Sequence, residues 1–291
     1  MIPAEQHLHS VGEQQKQETR DGFWVVRGTS TEVVSLNRLI GLFQLFPSGR
    51  NLYKEVVCQY KNMPHFLEYN PKLKIFGKYQ VGLNLIELKP FSEDVQYKFR
   101  TKDAYDSYMI AVLGHELMHV KTAGLYVKMI QNASTFQDVL LTMLLSEAAS
   151  HLVEKRLLDE IHSKEVICND SFSQNEYLTR ILQGYDWADI YIKNQMTFYT
   201  EAKNQIQKNR QGTVSDREII VVMQKNRYPM PVTTSEEMFN QGVSEFLNII
   251  GSDLAVSEVR NIHIPEKKYF HFGLFPRLKN LLFKHGAKNV K

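Results

Sequence analysis

The chain has 291 residues, of which 43% are hydrophobic, and its formal net charge is +3. This length and hydrophobic content allow a substantial buried core, and two distant cysteines, Cys58 and Cys168, exclude a disulfide framework and a cysteine metal site. The excess of basic over acidic residues is too small to argue for nucleic acid as a partner, and none is expected.

The N-terminal segment 1–22 is polar and rich in glutamine, and it is predicted to be a flexible arm. It lacks the basic start and apolar core that a signal peptide needs. The most apolar stretch, Val139 to Val153, is interrupted by Glu147 and His151, so stable insertion into a membrane is not expected. A cytoplasmic location, or export by a non-classical route of the kind that effector proteins use, follows as the expectation.

Residues 23–125 are predicted to form a mixed α/β subdomain. Strand signals with flanking glycines indicate a hairpin within a small antiparallel sheet, and a long apolar helix that ends near Gly124 packs on it. The predicted strands are Phe23 to Val26, Leu73 to Phe76 and Leu83 to Leu88; the predicted helices are Val33 to Phe46, Leu52 to Tyr60 and Ala104 to Lys121.

The rest of the chain has a helical period, so the predicted fold class is α+β. Residues 126–255 are predicted to be a helical subdomain, and residues 256–291 a basic amphipathic segment that docks as a helix. The predicted helices of this half are Phe136 to His162, Glu176 to Lys208, Asp216 to Lys225 and Ser235 to Ile250.

The strongest chemical signal is the helical run His115-Glu116-Leu117-Met118-His119. Histidines four residues apart in a helix point from one face, and both rings can bind one ion through nitrogen at about 2 Å. Glu116 can reach a water on that ion without being a ligand, as a general base must. The run therefore predicts a Zn2+ site with His115 and His119 as ligands and Glu116 as the catalytic base.

A catalytic zinc usually takes three protein ligands and leaves one position for water, so a third ligand must come from elsewhere. A histidine six residues after His119 is excluded, because Leu125 occupies that position. Glu147 interrupts the apolar stripe of the next predicted helix, and a buried glutamate needs a cation. Glu147 is therefore the predicted third ligand, His151 is its orienting neighbour or its replacement, and Glu154 is a further alternative.

These two segments resemble those of the gluzincins, zinc metallopeptidases with an HExxH motif and a downstream glutamate in a second helix. The first segment is Gly-His-Glu-Leu-Met-His-Val from Gly114, and the second is Ser-Glu-Ala-Ala-Ser-His from Ser146. Thermolysin-like members read approximately Asn-Glu-Ala-x-Ser-Asp in the second segment. His151 replaces that aspartate, so the acid that usually supports a zinc histidine has to be Asp138 or another residue.

The resemblance implies a zincin-like fold and a zinc-dependent endopeptidase that acts on a protein or peptide. It also implies that Leu83 to Leu88 is the edge strand on which the substrate lies extended. In its size and its lack of a signal peptide, the chain is loosely similar to small bacterial effector metalloproteases. The donor to the oxyanion is expected among Tyr185, Tyr191, Tyr199, Tyr228 and His263.

Two other functions remain open at this stage. A helical di-iron carboxylate protein also uses a Glu-x-x-His run, and Asp159-Glu160-Ile161-His162 is the closest match to the second run that it requires. The chain could also be a zincin-fold binding protein whose metal serves stability alone. The metal content and the appearance of new peptide termini separate these alternatives.

Overall fold

The computed structural model describes residues 17–21, 23–61, 63–96, 98–99, 101–162, 173–209, 212–225, 233 and 235–265. The fold is α+β, as predicted: five short strands lie near the N-terminus and helices dominate the remainder. Residues 266–291 of the predicted docking segment lie outside the described residues. Of the helices within the described ranges, none combines the length and apolar content needed to cross a bilayer.

The strands are β1 Gln17–Asp21, β2 Trp24–Gly28, β3 His65–Tyr69, β4 Gly77–Gln80 and β5 Leu85–Leu88. The helices are α1 Ser30–Phe43, α2 Pro47–Gln59, α3 Glu93–Gln96, α4 Lys102–Asn132, α5 Phe136–Ile161, α6 Gln174–Leu182, α7 Ala188–Asn209, α8 Asp216–Lys225, α9 Glu236–Ile250 and α10 Val256–Asn261.

The sheet has the strand order β1-β2-β3-β5-β4, and it is mixed rather than antiparallel as predicted. The pairs β2–β3 and β3–β5 are parallel, whereas β1–β2 and β4–β5 are antiparallel. Helices α1 and α2 lie between β2 and β3 in the chain, and a helical crossover of this kind returns the next strand in the same direction. The predicted hairpin is present as β4 and β5, with its first strand four residues later than expected.

The sheet also contains strands that the sequence did not predict. In β1, Gln17–Asp21 pairs along its whole length with Trp24–Gly28, so this part of the predicted arm belongs to the sheet. An edge strand is held by backbone hydrogen bonds and needs no apolar side chains, which explains why its sequence gave no signal. Strand β3 was missed because it has only five residues, three of them titratable.

Several helices differ from their predicted bounds: α1 begins and ends three residues earlier than expected, and α2 begins five residues earlier, at Pro47. Helix α4 continues past Gly124 to Asn132. A Cβ atom at Gly124 would meet nothing within 4 Å, and the backbone there does not adopt the left-handed conformation that ends a helix. The single helix predicted from Glu176 to Lys208 is divided into α6 and α7. Gly184 has φ +79° and Asp186 has φ 58°, and two left-handed residues so close together end a helix.

The chain divides into two compact units, residues 1–123 with 150–167 and residues 124–149 with 168–291. Of the three changes of unit, one falls inside α4 and one inside α5, and the third, at 167/168, lies outside the described residues. The core of the first unit includes Leu36, Phe43, Val56, Leu67, Ile86, Leu88, Leu113 and Leu117, and that of the second includes Leu140, Leu144, Leu178, Ile181, Ile192, Phe239 and Phe246.

His65 at the start of β3 is a fully buried imidazole in the first unit. Its ring stacks on Phe23 at 4.6 Å between centroids, and its Nδ1 lies 3.0 Å from the carbonyl oxygen of Met63. Burial lowers the pKa of His65 from its usual 6.5, and the Met63 contact only partly opposes this. His65 is therefore neutral in the folded protein at pH values where the unfolded chain already binds a proton.

We expect His65 to make the protein less stable as the pH falls below about 6.5, by at most about 1.4 kcal/mol per pH unit. The sign follows because the unfolded state binds more protons than the folded state in that range. Urea unfolding at pH 5 and pH 7 should show that His65→Phe loses less stability on acidification than the wild type does. The control His263→Phe, at an exposed position, should behave as the wild type; equal pH dependence in His65→Phe would contradict the prediction.

Candidate metal centre

The predicted motif lies in the first part of α4, within the first unit. Leu113, Leu117, Met118 and Val120 are buried around it, which fixes the helix against the core and sets the direction of the remaining side chains. Glu116 is also buried, with 6% of its surface exposed, and the side chain of His115 is 12% exposed. The motif therefore lies on a largely buried face, where polar groups require partners.

The rings of His115 and His119 face each other across one helical turn, as their spacing predicted. Their centroids are 4.8 Å apart at an interplanar angle of 72°, and the two Nε2 atoms are 3.1 Å apart. Both Nε2 atoms therefore point to one place.

Helix α5 contacts the other ring nitrogen of each histidine. Ser150 Oγ lies 3.3 Å from His119 Nδ1, and Glu154 Oε2 lies 3.2 Å from His115 Nδ1. His115, which comes first in α4, contacts Glu154, which comes later in α5 than Ser150. Helices α4 and α5 therefore run in opposite directions here. Each histidine is thus held through Nδ1 and presents Nε2 to the other.

Glu154 is shared by two imidazoles. Its Oε2 also lies 3.0 Å from Nδ1 of His151, whose ring packs edge to face on that of His115 at 4.6 Å. Burial alone would raise the pKa of Glu154, but the hydrogen bonds and charges of His115 and His151 outweigh it and lower the pKa to about 2. Glu154 is therefore an ionised acceptor at neutral pH, and both Nδ1 atoms donate to it.

The protons of this cluster can now be assigned. Because His115 donates Nδ1–H to Glu154, its neutral form carries a lone pair on Nε2, directed at Nε2 of His119. Two nitrogens 3.1 Å apart need either a proton or a cation between them. A metal-free protein satisfies this requirement when His119 donates Nε2–H to His115. If a metal ion were bound there instead, the proton of His119 would lie on Nδ1, where Ser150 Oγ can accept it.

Within the described part of the chain, two groups of side chains have metal-ligating composition and spacing: His115 with His119 and Glu147, and His115 with His151 and Glu154. In each group one ligand atom per residue lies within 4.8 Å of the others. The first group is the predicted set. Two nitrogens bound to one tetrahedral zinc at about 2.0–2.1 Å stand about 3.3 Å apart, close to the 3.1 Å between the Nε2 atoms. The residues of the first group therefore fit a metal ion.

The edge strand nearest to the motif is β4, not the predicted Leu83 to Leu88. Strand β5 lies inside the sheet, between β3 and β4. A Cβ atom placed on Gly77, the first residue of β4, would lie 2.6 Å from Val112 Cγ1 and 2.7 Å from Glu116 Oε1. The strand thus reaches α4 next to the predicted base, and glycine is the residue that allows this approach.

Gly77→Ala is expected to destabilise the protein by about 1–3 kcal/mol, because the added methyl group would overlap Val112 and Glu116. Gly82→Ala is the matched control, since a Cβ there would meet nothing within 4 Å. Urea unfolding of both variants at neutral pH tests this. The expectation is wrong if the two alanine variants are equally stable.

Several other predicted residues are engaged elsewhere. Asp138 does not support a zinc histidine: it accepts hydrogen bonds from Ser134 and Thr135 at the start of α5 and pairs with Arg260 at 3.1 Å. Glu160, from the possible di-iron run, accepts hydrogen bonds from Ser48 at the start of α2.

The predicted oxyanion donors that the structure describes all belong to the second unit. Tyr199 donates to Asp216 at 2.5 Å, Tyr191 packs on Trp187, and Tyr185 and His263 are exposed. Tyr228 lies outside the described residues. Burial raises the pKa of Tyr108, two turns before His115, and the negative charge of Glu154 raises it further.

Comparison of the chain with protein-family models, with curated proteins and with solved structures gave no match in any of the three. The function can therefore be inferred only from the residues of this chain and their geometry.

Proposed function

We propose that this protein is a zinc-dependent endopeptidase, with His115, His119 and Glu147 as metal ligands and Glu116 as general base. One observation carries the proposal: the two Nε2 atoms of the HExxH histidines meet at 3.1 Å while helix α5 holds each Nδ1. Histidines that merely fill a core do not need this arrangement. A metal site does, because it uses one nitrogen of each ring and fixes the other.

The donors support zinc as the proposed metal. Two imidazole nitrogens and one carboxylate oxygen, with a position left for water, are the ligand set of a catalytic zinc rather than of calcium or magnesium, which prefer oxygen ligands. When bound, zinc supplies Lewis acidity, which makes a water nucleophilic near neutral pH and polarises the carbonyl group that it attacks.

Glu116 performs the proton transfers. It stands directly after His115, the position that the general base has in an HExxH run, and its burial keeps bulk water from competing for its proton. Glu116 accepts the proton of the attacking water and passes it to the amine that leaves when the peptide bond breaks. With a metal ion bound at Nε2, both histidines would be neutral ligands that carry their protons on Nδ1, His115 toward Glu154 and His119 toward Ser150.

Strand β4 is the surface that fits the substrate. It pairs with β5 on one side, and its other edge is the end of the described sheet. An extended peptide adds to such an edge through backbone hydrogen bonds, which do not depend on the peptide's sequence. Because Gly77 brings β4 next to Glu116, a peptide bound along this edge would pass close to the general base.

The proposal is tested by metal analysis and by a search for products. Purified protein should contain about one zinc per chain, and incubation with a cell proteome should give new peptide termini that mass spectrometry identifies and a chelator abolishes. About two irons per chain would support the di-iron alternative instead. Zinc without new termini would indicate a binding protein that keeps the metal for stability.

A further inference from the structure

The two groups of possible ligands share His115, so they compete for that residue and have different consequences. If the ion is bound by His119 and Glu147, it uses Nε2 of His115. If it is bound by His151 and Glu154, it uses Nδ1, the atom of His115 that faces Glu154. The choice decides whether Glu154 is a ligand or acts through His115.

The contacts favour the use of Nε2. Glu154 Oε2 lies 3.2 Å from His115 Nδ1 and 3.0 Å from His151 Nδ1, which are hydrogen-bond distances with a proton in each gap. The side chains of His115, Glu154 and His151 are 12%, 17% and 27% exposed, so both hydrogen bonds are shielded from water. A carboxylate that accepts Nδ1–H fixes the tautomer of the ring and makes Nε2 the more basic ligand.

We propose that Glu154 is a positioning residue for His115, and that His151 holds Glu154 in place and is not a ligand. This inference rests on the proposed function only in taking a metal ion to lie between the Nε2 atoms of His115 and His119. In this arrangement Glu154, two helical turns after Glu147, supports His115. His151, one turn after Glu147, holds Glu154 in place.

His151 acts in two ways, one on Glu154 and one on His115. Its Nδ1–H occupies the same carboxylate oxygen that receives His115, so the carboxylate cannot rotate without losing both hydrogen bonds. Its ring also packs edge to face on His115 at 76° between the planes, which restricts the ring that binds the ion. A substitution of His151 can therefore remove its hydrogen-bond donor and keep an aromatic ring, or remove both.

The test is zinc affinity, measured by competition with a chromophoric chelator. Glu154→Gln is expected to bind one zinc with about 10–100-fold lower affinity, the usual cost of losing an outer carboxylate. His151→Phe keeps the ring and loses the donor, so a smaller loss is expected. Glu160→Gln is the matched control, because the same substitution on the same helix affects only the contact with Ser48, and it should bind zinc as the wild type does.

Glu147→Gln separates a ligand from a positioning residue. It should weaken zinc binding more than Glu154→Gln does, and only Glu147→Gln should change the number of donors reported by the absorption spectrum of the cobalt-substituted protein. The inference is overturned if Glu154→Gln binds zinc as tightly as the wild type. It is equally overturned if Glu154→Gln is the variant that loses a donor.

A second measurement needs no variant and so does not depend on whether Glu154→Gln folds. In histidine-labelled wild type loaded with zinc, nitrogen NMR should show His115 with its proton on Nδ1 and the metal on Nε2; the reverse assignment overturns the inference. The two proposals fail separately. A protein with this tautomer that cleaves nothing defeats only the peptidase assignment, and an active peptidase with unaltered zinc affinity in Glu154→Gln defeats only the role of Glu154.

Discussion

Glu116→Gln is expected to retain one zinc per chain and to lose about 10²–10⁴-fold in the rate of peptide hydrolysis. Glutamine has nearly the shape of glutamate, so the buried space beside Gly77 stays filled, but an amide cannot accept the proton of the attacking water. The loss should appear in kcat, because the proton transfer belongs to the chemical step. The measurement is the rate of appearance of a substrate fragment identified in the proteome experiment, with the zinc content of the same sample.

The matched control is Glu237→Gln, at an exposed position in the first turn of α9. It should cleave at the wild-type rate, which excludes a general effect of removing one negative charge. Retention of activity by Glu116→Gln, with zinc still bound, would refute the assignment of Glu116 as the base while leaving the metal site intact.

His119→Ala is expected to remove zinc binding and, with it, the stabilisation that zinc provides. Structural zinc sites with four ligands contribute about 10–16 kcal/mol, so one ligand corresponds to about 3 kcal/mol or an affinity loss of at least 10²-fold. Zinc at about 100 times its dissociation constant should stabilise the wild type by about 2.7 kcal/mol. Thermal unfolding with and without added zinc, together with zinc content after dialysis, measures both effects.

For His119→Ala the control is His162→Ala, which replaces an exposed histidine just beyond the end of α5. This variant should gain as much stability from zinc as the wild type. If His119→Ala responds to zinc in the same way as its control, the ion is bound elsewhere and the site proposed here is wrong.

Helices in this protein were predictable from sequence because their signals are local. The start of α1, for example, carries a capping box in which Thr29 and Glu32 bond each other's backbone, and an apolar period follows it. The direction and order of the strands were not predictable in the same way. The strands have four or five residues each, and their pairing is set by crossovers and backbone hydrogen bonds that leave little trace in the side chains.

The histidine pair was predictable because a spacing of four residues on a helix determines geometry on its own. The residues that support the pair were not. Ser150 and Glu154 act across two helices, so their role depends on how α5 lies against this part of α4. Gly77 could have been suspected from its place in a strand signal, but only the approach of the strand to Glu116 explains it.

The contacts between α4 and α5 have a consequence for changes in chain length. His115 and His119 are one turn apart and meet Glu154 and Ser150, which are also one turn apart, so two matched pairs form only when both intervals keep four residues. One inserted residue would rotate everything beyond it by about 100° and move one partner to another side of the helix. Insertions and deletions should therefore be far more damaging between these paired positions than in the loops, even where each substitution there is tolerated.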